Sequence, residues 1–395
     1  MSARPLSIAI LIGLLAMAGC DSKKTTSPSA TSAAPAVVIA QVRADRTTFD
    51  PAKQETVAIR FSLSEPADVV LSIYDGRDHQ VARQDAGRLD RGDQVLTWDG
   101  KDASGTPLPP EAYTYTLTAR NAKGASIHDL TDLTGGATVT AKDVRWDAVT
   151  GTVRYTLDRP ARVNLRLGLQ AGPYLRTLID WVPRRAGEQA ERWDGRDASG
   201  VLSLANNPAL TPVVKAYALP DNTLFVGAPP DRLQFVAERD AAIVREHNGP
   251  AAAKRMFDNS QQPLDTRGDL PAVLGVGGGF RQDGEGRWIV SGDVPLTANV
   301  RDADRPRVLQ RRFEAVFYVD GVFAHENELG YLPLSWTWNT AQFNPGEHFV
   351  TLNIRGYEGN FGTATIKVVV QPQAASPPTA TTASPTAATA PQGAP

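Results

Sequence analysis

The chain of 395 residues contains one cysteine, Cys20. A single thiol excludes an internal disulfide framework and any metal site built on clustered cysteines. Net charge is nearly absent: 41 Lys and Arg stand against 43 Asp and Glu. Binding a polyanion by counterion release needs a cationic surplus, so nucleic acid is not an expected partner. Beyond the first twenty residues, no apolar run approaches the roughly 20 residues that span a bilayer as a helix. There is no Gly-x-Ser-x-Gly elbow and no His-Glu-x-x-His pair; the nearest approach to the latter is His325-Glu326-Asn327-Glu328. That acidic stretch has oxygen ligands for a divalent cation in principle, and reads more simply as a solvated loop. Gly275-Val276-Gly277-Gly278-Gly279 lacks the Gly-Lys-Ser/Thr ending of a phosphate loop and reads as a turn. His128-Asp129 has no nucleophile beside it in sequence. No set of nucleophile, base and oxyanion donor emerges, so a non-enzymatic protein without cofactor or metal is expected.

What the chain does have is 42% apolar residues, 33 glycines and 29 prolines. It can bury cores, and its length suits roughly two or three domains. The glycine and proline content favours strands and turns over long helices.

The N-terminus carries an address. Arg4 precedes a short apolar stretch, Leu6 to Ala16, the length of a signal-peptide core. Leu15-Ala16-Met17-Ala18-Gly19-Cys20 then resembles a bacterial lipobox. The resemblance implies a signal peptide over 1–19 and a lipid on Cys20, which becomes the mature N-terminus. The membrane is then a partner through acyl chains, each contributing about 0.8 kcal/mol per buried methylene. The mature chain is expected outside the cytoplasm, in the periplasm or at the cell surface. Asp21 resembles the inner-membrane retention signal of enterobacterial lipoproteins. Residues 20–36, rich in Ser, Thr, Ala and Pro, read as a flexible tether. Residues 372–395, with no charge or aromatic residue, read as a disordered tail.

Between these ends lies a repeat. Trp98-Asp99-Gly100-Lys101-Asp102-Ala103-Ser104-Gly105 returns as Trp193-Asp194-Gly195-Arg196-Asp197-Ala198-Ser199-Gly200. Upstream, Leu63-Ser64-Glu65-Pro66-Ala67-Asp68-Val69 aligns with Leu157-Asp158-Arg159-Pro160-Ala161-Arg162-Val163 at almost the same offset. That period suits two sandwiches of about 100 residues rather than a solenoid. Val57, Ile59, Phe61 and Leu63 alternate, as do Val69, Leu71 and Ile73, and Val163, Leu165 and Leu167. Period-two alternation places one face of each strand on a core. In the motif, Trp fills the core, Asp-Gly turns the chain, and the second Asp and the Ser can bond the loop's own backbone.

The order of Pro-Ala-x-Val, strand, Trp-Asp-Gly-x-Asp-x-x-Gly and a tyrosine-bearing strand resembles the Ig-like module of the flagellar hook-capping protein. The first copy includes Leu108-Pro109-Pro110-Glu111-Ala112-Tyr113, with Ala112 where the family usually has Gly. The second departs from the pattern after Gly200. The resemblance covers about half the chain and implies a fold; such modules serve many unrelated proteins as spacers and binders. A third β-rich stretch, with Phe317-Tyr318-Val319-Asp320-Gly321, Trp336-Thr337-Trp338 and Gly346-Glu347-His348, is similar to another class of bacterial Ig-like domain.

The expected architecture is all-β: three Ig-like sandwiches over 37–130, 135–230 and 271–371, with an irregular linker over 231–270. Tyr174, Trp181, Trp288, Phe323, Tyr331, Trp336 and Trp338 are candidates for stacking on sugars or anchoring a protein. Phe323, His325, Glu326, Glu328 and Tyr331 form the best candidate binding patch. Arg301, Arg305, Arg307, Arg311 and Arg312 form a basic stretch offset by Asp302 and Asp304. The expected role is an accessory or scaffolding subunit of an extracytoplasmic complex, bound to another envelope protein. Binding of a glycan or the cell wall is the alternative.

Overall fold

The computed structural model describes residues 37–76, 79–131, 136–227, 270–309, 312–356 and 361–372. Cys20, the expected signal peptide over 1–19, the expected tether over 20–36, all but the last residue of the expected 231–270 linker, nearly all of the expected tail over 372–395 and Arg311 lie outside the described residues. The regular structure of the described chain is almost all strand, as expected, and the chain holds three separate hydrophobic cores.

The first sandwich is built from β1 (Ile39–Ala44), β2 (Thr48–Phe49), β3 (Val57–Leu63), β4 (Ala67–Tyr74), β5 (Gln80–Leu89), β6 (Gly92–Trp98), β7 (Glu111–Asn121) and β8 (Gly124–His128). The second comprises β9 (Thr138–Val139), β10 (Lys142–Asp147), β11 (Thr152–Leu157), β12 (Ala161–Leu169), β13 (Tyr174–Arg184), β14 (Gly187–Arg192) and β15 (Leu210–Ala218). Each has a small sheet, β1-β3-β6 or β10-β11-β14, facing a larger one centred on β4 and β7 or on β12 and β15. The alternating positions do what their period demands: Val57, Ile59, Phe61 and Leu63 are all buried in the first core. Complete burial of each such side chain contributes about 1.5–3 kcal/mol.

The two copies repeat detail as well as topology. Both β1 and β10 carry a bulge, between Ala40 and Arg43 and between Lys142 and Arg145. Each bulge holds one left-handed residue, Gln41 (φ 53°) or Asp143 (φ 54°).

A short strand crosses the expected boundary. β16 (Thr223–Val226) follows the second sandwich in sequence but pairs antiparallel with β7 and parallel with β2, and its Leu224 and Val226 lie in the first core. β8 and β16 occupy one edge of β7 in succession. His128 sits opposite Leu117, Thr223 opposite Thr114, and Asn222 bridges the gap through both backbone and side chain to Tyr115. Together they form one broken strand, and the second sandwich is inserted at the break.

The third sandwich is made of β17 (Ala272–Val276), β18 (Arg281–Gln282), β19 (Trp288–Val290), β20 (Asp293–Val300), a single helical turn α1 (Arg305–Leu309), β21 (Phe313–Val319), β22 (Val322–Asn327), β23 (Leu334–Asn339), β24 (Gly346–Gly356) and β25 (Phe361–Val370). A three-stranded sheet, β17-β20-β23, covers the six-stranded β18-β19-β25-β24-β21-β22. The glycine-rich stretch at 275–279 is the end of β17 and the turn after it, with Gly278 and Gly279 at φ 77°.

Candidate functional site

The two Trp-Asp-Gly loops are structural devices of one design. Trp98 is buried edge-to-face between Phe49 and Tyr113, and its Nε1 donates to the Lys101 carbonyl at 3.0 Å. Trp193 packs on Trp146 and donates to the Arg196 carbonyl at 2.9 Å. Asp99 and Asp194 accept from the amides two residues on. Gly100 and Gly195 take φ 77° and φ 76°, left-handed values open to glycine without strain. Asp102 accepts from the amides of Ser104 and Thr106, and Asp197 from those of Ser199 and Leu202. Gly105 and Gly200 close the loops, again with positive φ. The carboxylates are thus taken up by their own loops and, for Asp194, also by Arg176 of β13 at 3.6 Å. Among the described residues, no group of three or more His, Cys, Asp or Glu is placed to hold a metal.

In the second copy this loop also makes a joint. The Ser199 hydroxyl accepts from the Thr365 amide at 2.8 Å, on the part of the β25 edge that β19 leaves uncovered. Beside it, Asn353 bonds both the amide and the carbonyl of Tyr174. Arg166 lies over the Phe361 ring, Phe361 meets Tyr174 edge-to-face, and Arg355 lies over the Tyr174 ring, so the four alternate between the second and third sandwiches. At the other end of β12, Arg162 pairs with Glu111 of the first sandwich at 3.5 Å, both nearly buried. Ser199, Arg162 and Glu111 belong to stretches the repeat and its resemblance single out, but nothing in those motifs marks them as joint residues, and Asn353, Arg166 and Arg355 belong to no motif. Asn353 and Arg166 sit at outward positions of strands, where polarity signals only solvent until a neighbouring domain covers the face.

The expected binding patch lies along β22, the last strand of the six-stranded sheet. Val322 is 68% exposed, Phe323 53%, Leu329 85% and Tyr331 53%. Glu326 and Glu328 are exposed between them. His325, however, does not join Phe323. A bulge at Ala324 sets Phe323 opposite Tyr318 and His325 opposite Phe317. Phe323 therefore meets Tyr318 edge-to-face on the outer side, while His325 stacks flat on Trp336 at 5.4 Å on the core side. Of the other aromatic candidates, Trp338 and Trp181 are buried and cannot offer a ring face, and Tyr174 is taken by the joint.

An Asp-Gly hairpin turn, with Asp320 at φ 51° and Gly321 at φ 81°, leads into β22. It is held by His348, whose Nδ1 lies 2.6 Å from the Asp320 carboxylate and whose Nε2 lies 2.8 Å from the Asn344 carbonyl. Two acceptors on one ring require both nitrogens to carry hydrogen. Burial alone would lower the pKa of His348, but these two partners outweigh it and raise it.

Comparison with known proteins matches residues 46–123 to the FlgD Ig-like domain family. The basal-body rod modification proteins FlgD of Salmonella typhimurium and Salmonella typhi are each 29% identical over 128 residues, 32% of this chain and 46% of theirs. The chain thus spans less than half the length of these curated relatives. Among solved structures, FlgD of P. aeruginosa is 24% identical over 23% of this chain and 67% of that one, with a TM-score of 0.20. A tetra-tandem repeat from the extending region of a large adhesion protein is 15% identical over 84% of this chain and 74% of that one, with a TM-score of 0.18.

Proposed function

We propose that this chain is a non-enzymatic, lipid-anchored scaffold of the cell envelope that holds a protein partner through the outer edge of its third sandwich. The observation that carries this reading is the concentration of apolar side chains along β22 and the loop after it. Four of the eleven exposed large apolar residues described fall between Val322 and Tyr331. Large exposed patches rimmed by polar residues mark interaction sites on soluble domains. The match to an Ig-like module of a flagellar assembly protein supports a scaffolding role for such a fold. The lipobox-like Leu15–Cys20 stretch supports an extracytoplasmic address and an anchor at Cys20.

The test is purification of the full chain from its own membranes in mild detergent, with mass spectrometry of what accompanies it. A stoichiometric protein partner that is lost on changing Phe323 and Leu329 together to Ser supports the reading. A solitary protein, or a partner indifferent to that change, counts against it. The half-exposed rings of Phe323 and Tyr331 favour a second reading, glycan binding, which retention on cell-wall polysaccharide abolished by Phe323→Ala and Tyr331→Ala would establish.

A further inference from the structure

Two arginines face each other at the same place on both repeated sandwiches. In the first small sheet Arg43 lies directly opposite Arg60, and in the second Arg145 lies directly opposite Arg154. Each pair sits on the outward side, since the flanking Ile59 and Phe61, and Val153 and Tyr155, are core. Like charges directly opposed across a pair of strands are destabilising. Arg43, Arg60 and Arg145 form no ion pair with any described residue, though Arg145 donates to the Asp143 carbonyl at 3.2 Å; Arg154 reaches Asp147 at 3.6 Å.

Simple persistence after duplication does not account for the pairs. Four outward positions around them have diverged. Ala40 corresponds to Lys142, Ala58 to Thr152, Val95 to Ala190 and Thr97 to Arg192. Kept beside the arginines are a hydroxyl, Ser62 or Thr156, and acids at the ends, Asp45 and Asp93 or Asp147 and Glu188. A guanidinium fork matches a carboxylate in two parallel hydrogen bonds. The flanking acids repel a polymer with continuous negative charge but leave room for single carboxylates between them.

We infer that the outer faces of the two small sheets are equivalent docking sites for carboxylate-bearing segments of a protein partner, Arg43 with Arg60 forming one site and Arg145 with Arg154 the other. This rests on the scaffold reading and adds to it a partner of stated chemistry, engaged twice by one chain. Two linked sites of modest strength give tight overall binding when geometry allows both to be filled.

The probe is a short peptide alternating Glu and Thr, titrated into the full chain by NMR to a few millimolar, where a site with a Kd of about 1 mM is mostly filled. Two peptides should bind per chain. Arg60→Gln and Arg154→Gln should each remove one site, and together both, while thermal stability holds or rises as like charges separate. A Gln-Thr peptide should not bind. The inference is overturned by no binding at that concentration, by two sites surviving in the double variant, or by polyphosphate displacing the peptide more effectively per charge. Co-purification separates the two ideas. A partner retained by the arginine variants but lost from the Phe323 and Leu329 variant leaves the scaffold reading standing and removes the arginine faces from it.

Discussion

The side chain of Asn353 takes both backbone groups of Tyr174, accepting from its amide at 2.9 Å and donating to its carbonyl at 2.8 Å. It is completely buried, although it stands on the outer face of β24. One residue of the third sandwich thus reads the backbone of the second as a neighbouring strand would. Replacing Asn353 by Ala takes that partner from the Tyr174 amide, while the carbonyl keeps the Thr363 hydroxyl at 3.1 Å. One buried orphaned group costs about 1–3 kcal/mol. The expected result is a third sandwich that melts separately and earlier in calorimetry, with its own core unchanged. A single unaltered transition would show that the joint does not depend on this residue.

The second sandwich contains a buried ionic triad. Arg184 donates to both oxygens of Glu191, at 2.6 and 2.9 Å, and the Tyr155 hydroxyl donates to the same carboxylate at 3.0 Å. Burial foremost, then the Glu191 charge, pushes the Tyr155 pKa far above its ordinary range. Glu191→Gln strands the Arg184 charge and should destabilise by about 3–5 kcal/mol. Tyr155→Phe removes one hydrogen bond and should cost about 1 kcal/mol. Denaturant titration of the two variants checks the order, and near-equal losses would contradict the triad.

His348 gives the third sandwich a pH dependence. Its pKa is raised in the folded protein, so its contribution is complete below the ordinary histidine value of about 6.5 and is lost as pH rises through the higher folded value. The melting temperature of the third sandwich should therefore fall on the alkaline side. His348→Gln should flatten that fall. A variant that keeps the native slope would place the titrating group elsewhere.

The two copies of the Trp-Asp-Gly loop should differ in tolerance at their second aspartate. Asp197 is only 1% exposed, whereas Asp102 is partly open to water. Water can replace the lost acceptor at Asp102 but not at Asp197. Asp102→Ala should cost about 1 kcal/mol and Asp197→Ala about 2–3 kcal/mol, within the range for orphaned amides. Calorimetric comparison of the two single variants tests the ranking.

The broken strand predicts the outcome of a deletion. Because His128 and Thr223 stand opposite Leu117 and Thr114, a two-residue link should join β8 to β16 and replace the whole second sandwich. That chain should keep a folded first sandwich. Ending the first sandwich at Leu130 should not, since it removes Leu224 and Val226 from the core and leaves Thr48 and Phe49 without their partner strand. Circular dichroism of the two forms decides.

The strands and the duplication were legible because both rest on local signals, period-two alternation and a repeated Trp-Asp-Gly turn. The broken strand was not. Thr223-Leu224-Phe225-Val226 reads as a strand, but nothing local says that its partner is Glu111–Thr114, more than a hundred residues earlier. The patch on β22 was read in part. Strict alternation puts Phe323 and His325 on one face, and a single bulged residue, Ala324, parts them. The joints were hidden for a third reason. Tyr174, Ser199 and Asn353 look like surface residues of their own sandwiches and become interior only when the sandwiches meet.

Inserting one sandwich into a strand of another has a mechanical meaning. Pull the chain at Val37 and at Gly227, and the covalent path between the two grips runs into and out of the first sandwich, with the second looped off between His128 and Asn222. The first sandwich then resists through β16, held in line along β7 and β2, where hydrogen bonds must shear together rather than open one by one. The second sandwich rides unloaded for as long as β16 stays in place. Its faces, including the Arg145 and Arg154 pair, keep their shape while the first sandwich bears the tension.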